Sequence, residues 1–203
     1  MKYRDTQESL KAIYAIAATQ GGYFTAKQAA QAGYQYPHLA YHLQAGNFER
    51  ANHGLYRLPT IPPVEHDDLI QMALWSRNRD DQPQAVVSHA SALFLHQLSD
   101  VLPQKLHFIV PPSFRKRPPK GCELHKATLR SGDIESREGF SVTTPLRTLV
   151  DVAKGRSVTD EQLEHAISDA RKRGLVRESA LRSALENALP AQRRQQVTTL
   201  IGS

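Results

Sequence analysis

The sequence predicts an α+β protein, an N-terminal winged helix-turn-helix domain followed by a mixed α/β C-terminal domain. Three observations lead there. Three short helical segments come first, the boundaries marked by capping residues and glycines. Two extended arms around a turn follow them. Beyond a proline-rich stretch, apolar strands then alternate with amphipathic helices. At 203 residues and 40% hydrophobic content the chain has room for two small packed domains. The expected division is residues 1–59, a proline linker at 60–63, and residues 64–203.

The first helix opens on Asp5-Thr6-Gln7-Glu8, which reads as a capping box, and carries apolar residues at Leu10, Ile13, Tyr14 and Ala17. Gly21-Gly22 stops it. Thr25-Ala-Lys-Gln28 is a second capping box, opening a short helix that Gly33 ends. Tyr36-Pro37 starts the third, since proline suits a first turn, and Gly46 follows its last residue near Ala45. In Phe48–Pro59, two arms flank Asn52-His53-Gly54, residue types that tolerate positive φ at a turn. Pro59-Thr-Ile-Pro-Pro63 reads as a stiff spacer.

The second domain is expected to begin with a helix over His66–Ser76 and a loop through Pro83. A brief strand at Ala85–Val87 leads into a helix capped by Ser88, with His89 read as an exposed ring. Strands are predicted over Lys105–Val110, Cys122–Ala127 and Phe140–Thr144. Thr144 then caps a helix whose first residue is Pro145. Helices over Asp160–Arg173 and Arg177–Leu189 finish the regular pattern, and the tail beyond is weaker.

The third helix carries the first functional signal. Leu39 and Leu43 form an apolar stripe, while His38, Tyr41, His42 and Ala45 share the opposite face. Donor-bearing side chains on an exposed face suit a helix in a DNA major groove; a solvated face without a role is the competing reading. The arms add Arg50 and Arg57, placed to meet phosphate or a narrow minor groove, with His53 at the tip. A basic hairpin that only protects a sheet edge is the alternative. Thr25, Lys27 and Gln28 at a helix N-terminus are the expected phosphate contacts, because free amides and the helix dipole favour anions. Gln35 and Tyr36 flank the start of the third helix and suit either role.

Net charge is +6, and its distribution matters more than its size. Lys105, Arg115, Lys116, Arg117, Lys120 and Lys126 stand against Glu123 alone, a local excess of about five. The string Arg115-Lys116-Arg117 reads as a proline-stiffened solvated loop, as extra DNA contact, or as a surface for RNA or another phosphate-bearing molecule. The single cysteine, Cys122, favours a reducing compartment and reads as a small core residue. The N-terminus does not read as a signal peptide, and no run approaches the roughly 18 apolar residues of a membrane span. A cytoplasmic protein without a membrane partner is therefore expected.

In Gly22–Pro59, GYFTAKQAAQAGYQYPHLAYHLQAGNFERANHGLYRLP resembles the winged-helix domain of AbiEi antitoxins, the antitoxin half of type IV toxin–antitoxin systems. VSHASALFLHQLSDVLP (Val87–Pro103), VPPSFRKRPP (Val110–Pro119) and VTTPLRTLVDVA (Val142–Ala153) extend the likeness, which thins after about Gly174. The resemblance implies a repressor binding inverted repeats of double-stranded DNA in its own promoter, with a C-terminal antitoxin domain. It implies a nucleotidyltransferase toxin, opposed without a stable complex, and a link to abortive infection and phage defence. Carried over, the docking helix falls on Tyr36–Ala45, the wing on Arg50–Arg57, and the basic string on Arg115, Lys116 and Arg117.

Catalytic signatures are missing from the sequence. No Glu-x-Lys pair of a metal-dependent nuclease occurs, no Asp-x-Asp of a nucleotidyltransferase, and no Walker A or G-x-G-x-x-G phosphate loop. His38-x-x-x-His42 lacks the glutamate of a zincin, and Cys122-x-x-His125 has no second pair along the chain. A non-enzyme without cofactor or metal is the expectation. A regulator with an effector-sensing C-terminal domain and no toxin, or a degenerate nuclease relative, remains the alternative.

Overall fold

The computed structural model describes residues 6–100, 102–155 and 157–202. They form an α+β protein with two sheets, in two compact units. The first unit runs to Gln84 and includes Arg137–Phe140; the second takes Ala85–Ser136 and the chain from Ser141 onward.

The first unit comprises α1 (Thr6–Ala18), β1 (Tyr23–Thr25), α2 (Ala26–Gln31), α3 (Tyr36–Gln44), β2 (Glu49–Asn52), β3 (Leu55–Arg57) and α4 (Asp67–Ser76). The capping box expected from Asp5 begins outside the described residues. Gly21 follows α1 with φ +60°, and a Cβ there would lie 2.7 Å from Val64 Cγ2, so conformation and close approach both call for glycine. The three-residue β1, absent from the expected elements, pairs antiparallel with β3, which pairs with β2 in the order β1-β3-β2. Phe24 packs edge-on against Phe48 at 5.1 Å and stacks on Tyr56 at 5.7 Å, with Ile13, Ala29 and Leu39 closing the core around them. Ile13, Phe24, Leu39 and Phe48 each contribute roughly 1.5–3 kcal/mol by leaving water.

The proline segment is not a free spacer. Ile61 packs against that core, its N–H donates to Leu58 O, and its carbonyl accepts from the Arg57 guanidinium. The boundary expected at residues 60–63 thus falls inside the first unit, which continues through α4. The cause lies in the apolar residues Tyr23 and Leu55 on the sheet, which need cover. Ile70 and Leu74 of α4, with Phe140, supply it. Gly139, at φ +81°, permits this, since a Cβ there would meet Ile70 Cγ1 at 2.9 Å. The Tyr23 hydroxyl donates to Asp67 Oδ2 at 2.8 Å, and burial together with that carboxylate pushes its pKa up to about 12.

The second unit holds β4 (Val86–Val87), α5 (His89–Leu95), β5 (Leu106–Val110), β6 (Cys122–Lys126), β7 (Ile134–Ser136), β8 (Ser141–Thr143), α6 (Pro145–Gly155), α7 (Asp160–Lys172), α8 (Glu178–Ala188) and α9 (Ala191–Gly202). Its sheet runs β6-β5-β4-β8-β7, with β5–β6 and β4–β8 parallel and the other pairs antiparallel. Leu93, Leu149, Val152, Leu163, Ile167, Leu181 and Val197 build one core from the helices. The weak tail is a helix because Val197 is wholly buried in that core.

Two side-chain expectations fail here. Ser88 makes no cap bond; its Oγ lies 2.9 Å from His89 Nδ1. His89 is 6% exposed rather than projecting, on a backbone with φ +52°. Cys122 is half-buried on β6 and does not sit in a core.

Candidate nucleic-acid interface

The first unit builds α3 and the wing as follows. Gln35, extended and exposed, precedes α3 without a side-chain cap bond, and Pro37 pre-sets φ in the first turn. Leu39 turns into the core, with Leu43 packed beside it. That orientation leaves Tyr36 81% and Tyr41 64% exposed, with His38 exposed between them. His38 and Tyr41, three residues apart, share an exposed face of a helix held from behind, and the exposed Gln35 and Tyr36 flank its start.

His42 departs from the expected face. It is half-buried, its ring stacked on Phe48 at 4.8 Å and edge-on to Tyr34 at 5.2 Å. Its Nδ1 lies 3.1 Å from Asn47 Nδ2; an amide nitrogen only donates, so Nδ1 accepts. The His42 carbonyl also takes the N–H groups of Asn47 and Phe48. Burial, then the neighbouring His38, holds the imidazole below its ordinary pKa and keeps it neutral. The ring borders the apolar stripe, three residues on from Leu39, so Phe48 can recruit it. His42 is the joint between α3 and the wing, and Asn47, which sequence reasoning passed over, locks that joint.

In the wing, every residue of β2 is exposed, Arg50 among them, whereas Leu55 and Tyr56 of β3 are buried. His53 is exposed at the tip, where its N–H donates to Asn52 Oδ1 at 2.8 Å and Gly54 takes φ +69°. Arg57 does not point outward. Its side chain is 14% exposed, 3.7 Å from Glu49 and 6.0 Å above the Tyr23 ring, with its guanidinium bound to the Ile61 carbonyl. It clamps the wing to the chain after it and is not presented to phosphate.

The expected phosphate contacts at α2 are also committed internally. Gln28 N–H donates to Thr25 Oγ1 at 3.2 Å and Thr25 N–H donates to Gln28 Oε1 at 2.8 Å, the reciprocal capping box read from sequence. Gln28, 7% exposed, also donates to Gln20 Oε1 at 3.0 Å. Ala26 N–H goes to Gly54 O, so the wing turn covers this helix end. Lys27 donates to Arg79 O at 2.7 Å and lies 4.0 Å from Asp81. The same residue types that mark a helix start by sequence are those that saturate it.

In the second unit, Arg115, Lys116 and Arg117 are exposed on the loop between β5 and β6, which the buried Phe114 anchors. Arg115 bends back onto the Pro112 carbonyl at 3.2 Å. That unit also assembles a possible ligand set, His107, Glu123 and His125. Glu123 and His125 lie on β6, and the third member, His107, arrives from the neighbouring strand β5 rather than along the chain.

Among the described residues no helix is long and apolar enough to cross a membrane. No curated protein matches the chain. The crystal structure of the RV2827C protein from Mycobacterium tuberculosis is similar in fold, with a TM-score of 0.63 at 16% identity over 99% of this chain and 78% of that one. Residues 11–59, which carry α3 and the wing, match the family model described as transcriptional regulator, AbiEi antitoxin. The likeness to AbiEi regulators read from the sequence is thus matched by that family model over residues 11–59.

Proposed function

We propose that the first unit binds double-stranded DNA with α3 in the major groove and the β2–β3 wing on the adjacent backbone. By binding inverted repeats in its promoter the chain represses its own operon, and it serves as the antitoxin to a nucleotidyltransferase toxin of a type IV pair in the cytoplasm. Tyr36, His38 and Tyr41 are the base-reading side chains, with Gln35 at the helix start. Arg50 and His53 are the wing contacts. The observation that carries this reading is the exposed polar face of α3, buttressed by Leu39 and Leu43, in a segment matched to a transcriptional-regulator family. A net charge of +6 favours a polyanionic partner. Antitoxin action is assigned to the second unit, whose Arg115-Lys116-Arg117 loop suits a phosphate-bearing surface.

A gel shift of the full chain on the upstream region of its own operon tests the first half. A discrete complex that survives excess unrelated DNA is expected; equal competition by unrelated DNA overturns sequence-specific repression. Co-expression with the neighbouring nucleotidyltransferase gene tests the second, with rescue of growth expected.

A further inference from the structure

We infer that the second unit carries a binding site for a divalent transition metal of the zinc class. Its ligands are His107 Nδ1, His125 Nε2 and the Glu123 carboxylate, with the open side toward a neighbouring cavity. Strand register brings these ligands together. In the parallel pair β5–β6, His107 stands opposite Glu123 and Ile109 opposite His125. Side chains alternate along a strand, so His107, Glu123 and His125 share one face of the sheet. Their ligand atoms lie within 4.8 Å of one another, and His107 Nδ1 is 3.0 Å from His125 Nε2. Tetrahedral zinc with bonds of about 2.0–2.1 Å separates two ligand nitrogens by roughly 3.3 Å, a few tenths more than this pair. Two ring nitrogens aimed at each other need one proton between them, and a metal ion can take its place.

The surroundings fit that use. The His89 ring stacks on His125 with centroids 3.7 Å apart, and Ser88 Oγ holds its Nδ1. This ring reaches its place on a backbone with φ +52°, a region that histidine adopts more readily than most residues. Lys105 Nζ sits 3.4 Å from Glu123 Oε2, an exposed cation that an incoming ion would displace or share. His107 and Glu123 also border a cavity of about 370 Å³ lined further by Gln104, Lys105 and Gln162, which provides an entry path and room for water or an anionic group as an added ligand. Two nitrogens and a carboxylate select zinc, cobalt or nickel over magnesium and calcium, which prefer oxygen alone.

Metal-free full-length protein titrated with Co²⁺, and with Zn²⁺ in competition, tests the site. One equivalent is expected, with visible absorption of low-coordinate cobalt and an X-ray absorption spectrum showing two imidazoles and oxygen. His107→Gln or His125→Gln should each lower Zn²⁺ affinity by at least ~100-fold and Glu123→Gln by about tenfold, with exposed His165→Gln unchanged. Absence of stoichiometric uptake overturns the inference, as does uptake that survives His107→Gln and His125→Gln. If a variant does not fold, the wild-type X-ray absorption decides, and fewer than two imidazoles or a sulfur ligand overturns the site.

Discussion

The two units put histidine to contrasting use. On α3, His38 faces solvent beside Tyr41, and His42, one turn on, closes the joint to Phe48. On the β5–β6 face, His107 and His125 meet across strands, with the His89 ring stacked on His125. The first set is local in the chain, one ring exposed and one half-buried; the second is assembled by register, with His89 buried and His107 and His125 half-buried. Residue type alone does not set a side chain's role. What the backbone behind it needs to cover decides whether the same imidazole is offered to a partner or kept within the fold.

Acid should expose this contrast most strongly. Burial, then His125 and His107, lowers the His89 pKa from 6.5 to about 3. The folded state therefore resists a proton that the unfolded chain accepts. Stability supplied by the neutral ring is full above about pH 6.5 and is lost as pH falls toward 3, by roughly 1.4 kcal/mol per pH unit and on the order of 5 kcal/mol in all. Urea midpoints measured between pH 7 and 4 should fall accordingly. His89→Asn, a residue that tolerates positive φ, should flatten the slope. An unchanged slope in that variant would show that His89 is not the acid-sensitive group.

Why only part of this was legible follows from the range of the signals. Thr25 and Gln28, Gly21, Gly46, and Thr144 before Pro145 mark helix ends through contacts within a few residues, and those ends were read well. β1 and β7, three residues each, are too short to show a period. The meeting of His107 with His125 depends on strand pairing, which no spacing along the chain encodes. On the wing, Arg57 turns inward to the Ile61 carbonyl and Glu49, partners that alternation along the strand does not show. The Pro59–Pro63 segment read as a spacer because the apolar sheet residues it helps to cover belong to distant positions.

The two wing arginines turn that last ambiguity into an experiment. Arg57→Ala should destabilise the first unit by roughly 1.5–3 kcal/mol, through loss of the bond to Ile61 O and the ion pair with Glu49, and leave the salt slope of DNA binding unchanged. Arg50→Ala should keep stability within about 0.5 kcal/mol and reduce the slope by about one. Chemical denaturation and salt-dependent gel shifts read both quantities, and interchange of the two phenotypes would reverse the assignment. On α3 the parallel pair is His38 and His42. His38→Ala should cost about 1–3 kcal/mol at the operator and little on unrelated DNA. His42→Phe, which preserves an aromatic surface against Phe48, should retain most discrimination; equal loss from both would restore His42 as a reader.

The smallest effect is expected at Lys27, and it bears on how basic residues are assigned. Its position in the first turn of α2 invites a phosphate contact, yet its ammonium points to Arg79 O and lies 4.0 Å from Asp81. With half of the side chain exposed, that ion pair is worth at most ~1 kcal/mol. Lys27→Ala should therefore shift the denaturation midpoint slightly and leave the salt slope where wild type has it. Had its charge neutralised a phosphate, the slope would fall by about 0.9, as for Arg50. Measured together, the two substitutions distinguish a cation presented by the wing from one retained by the loop beside α2, although both are basic, exposed and close in sequence to the proposed interface.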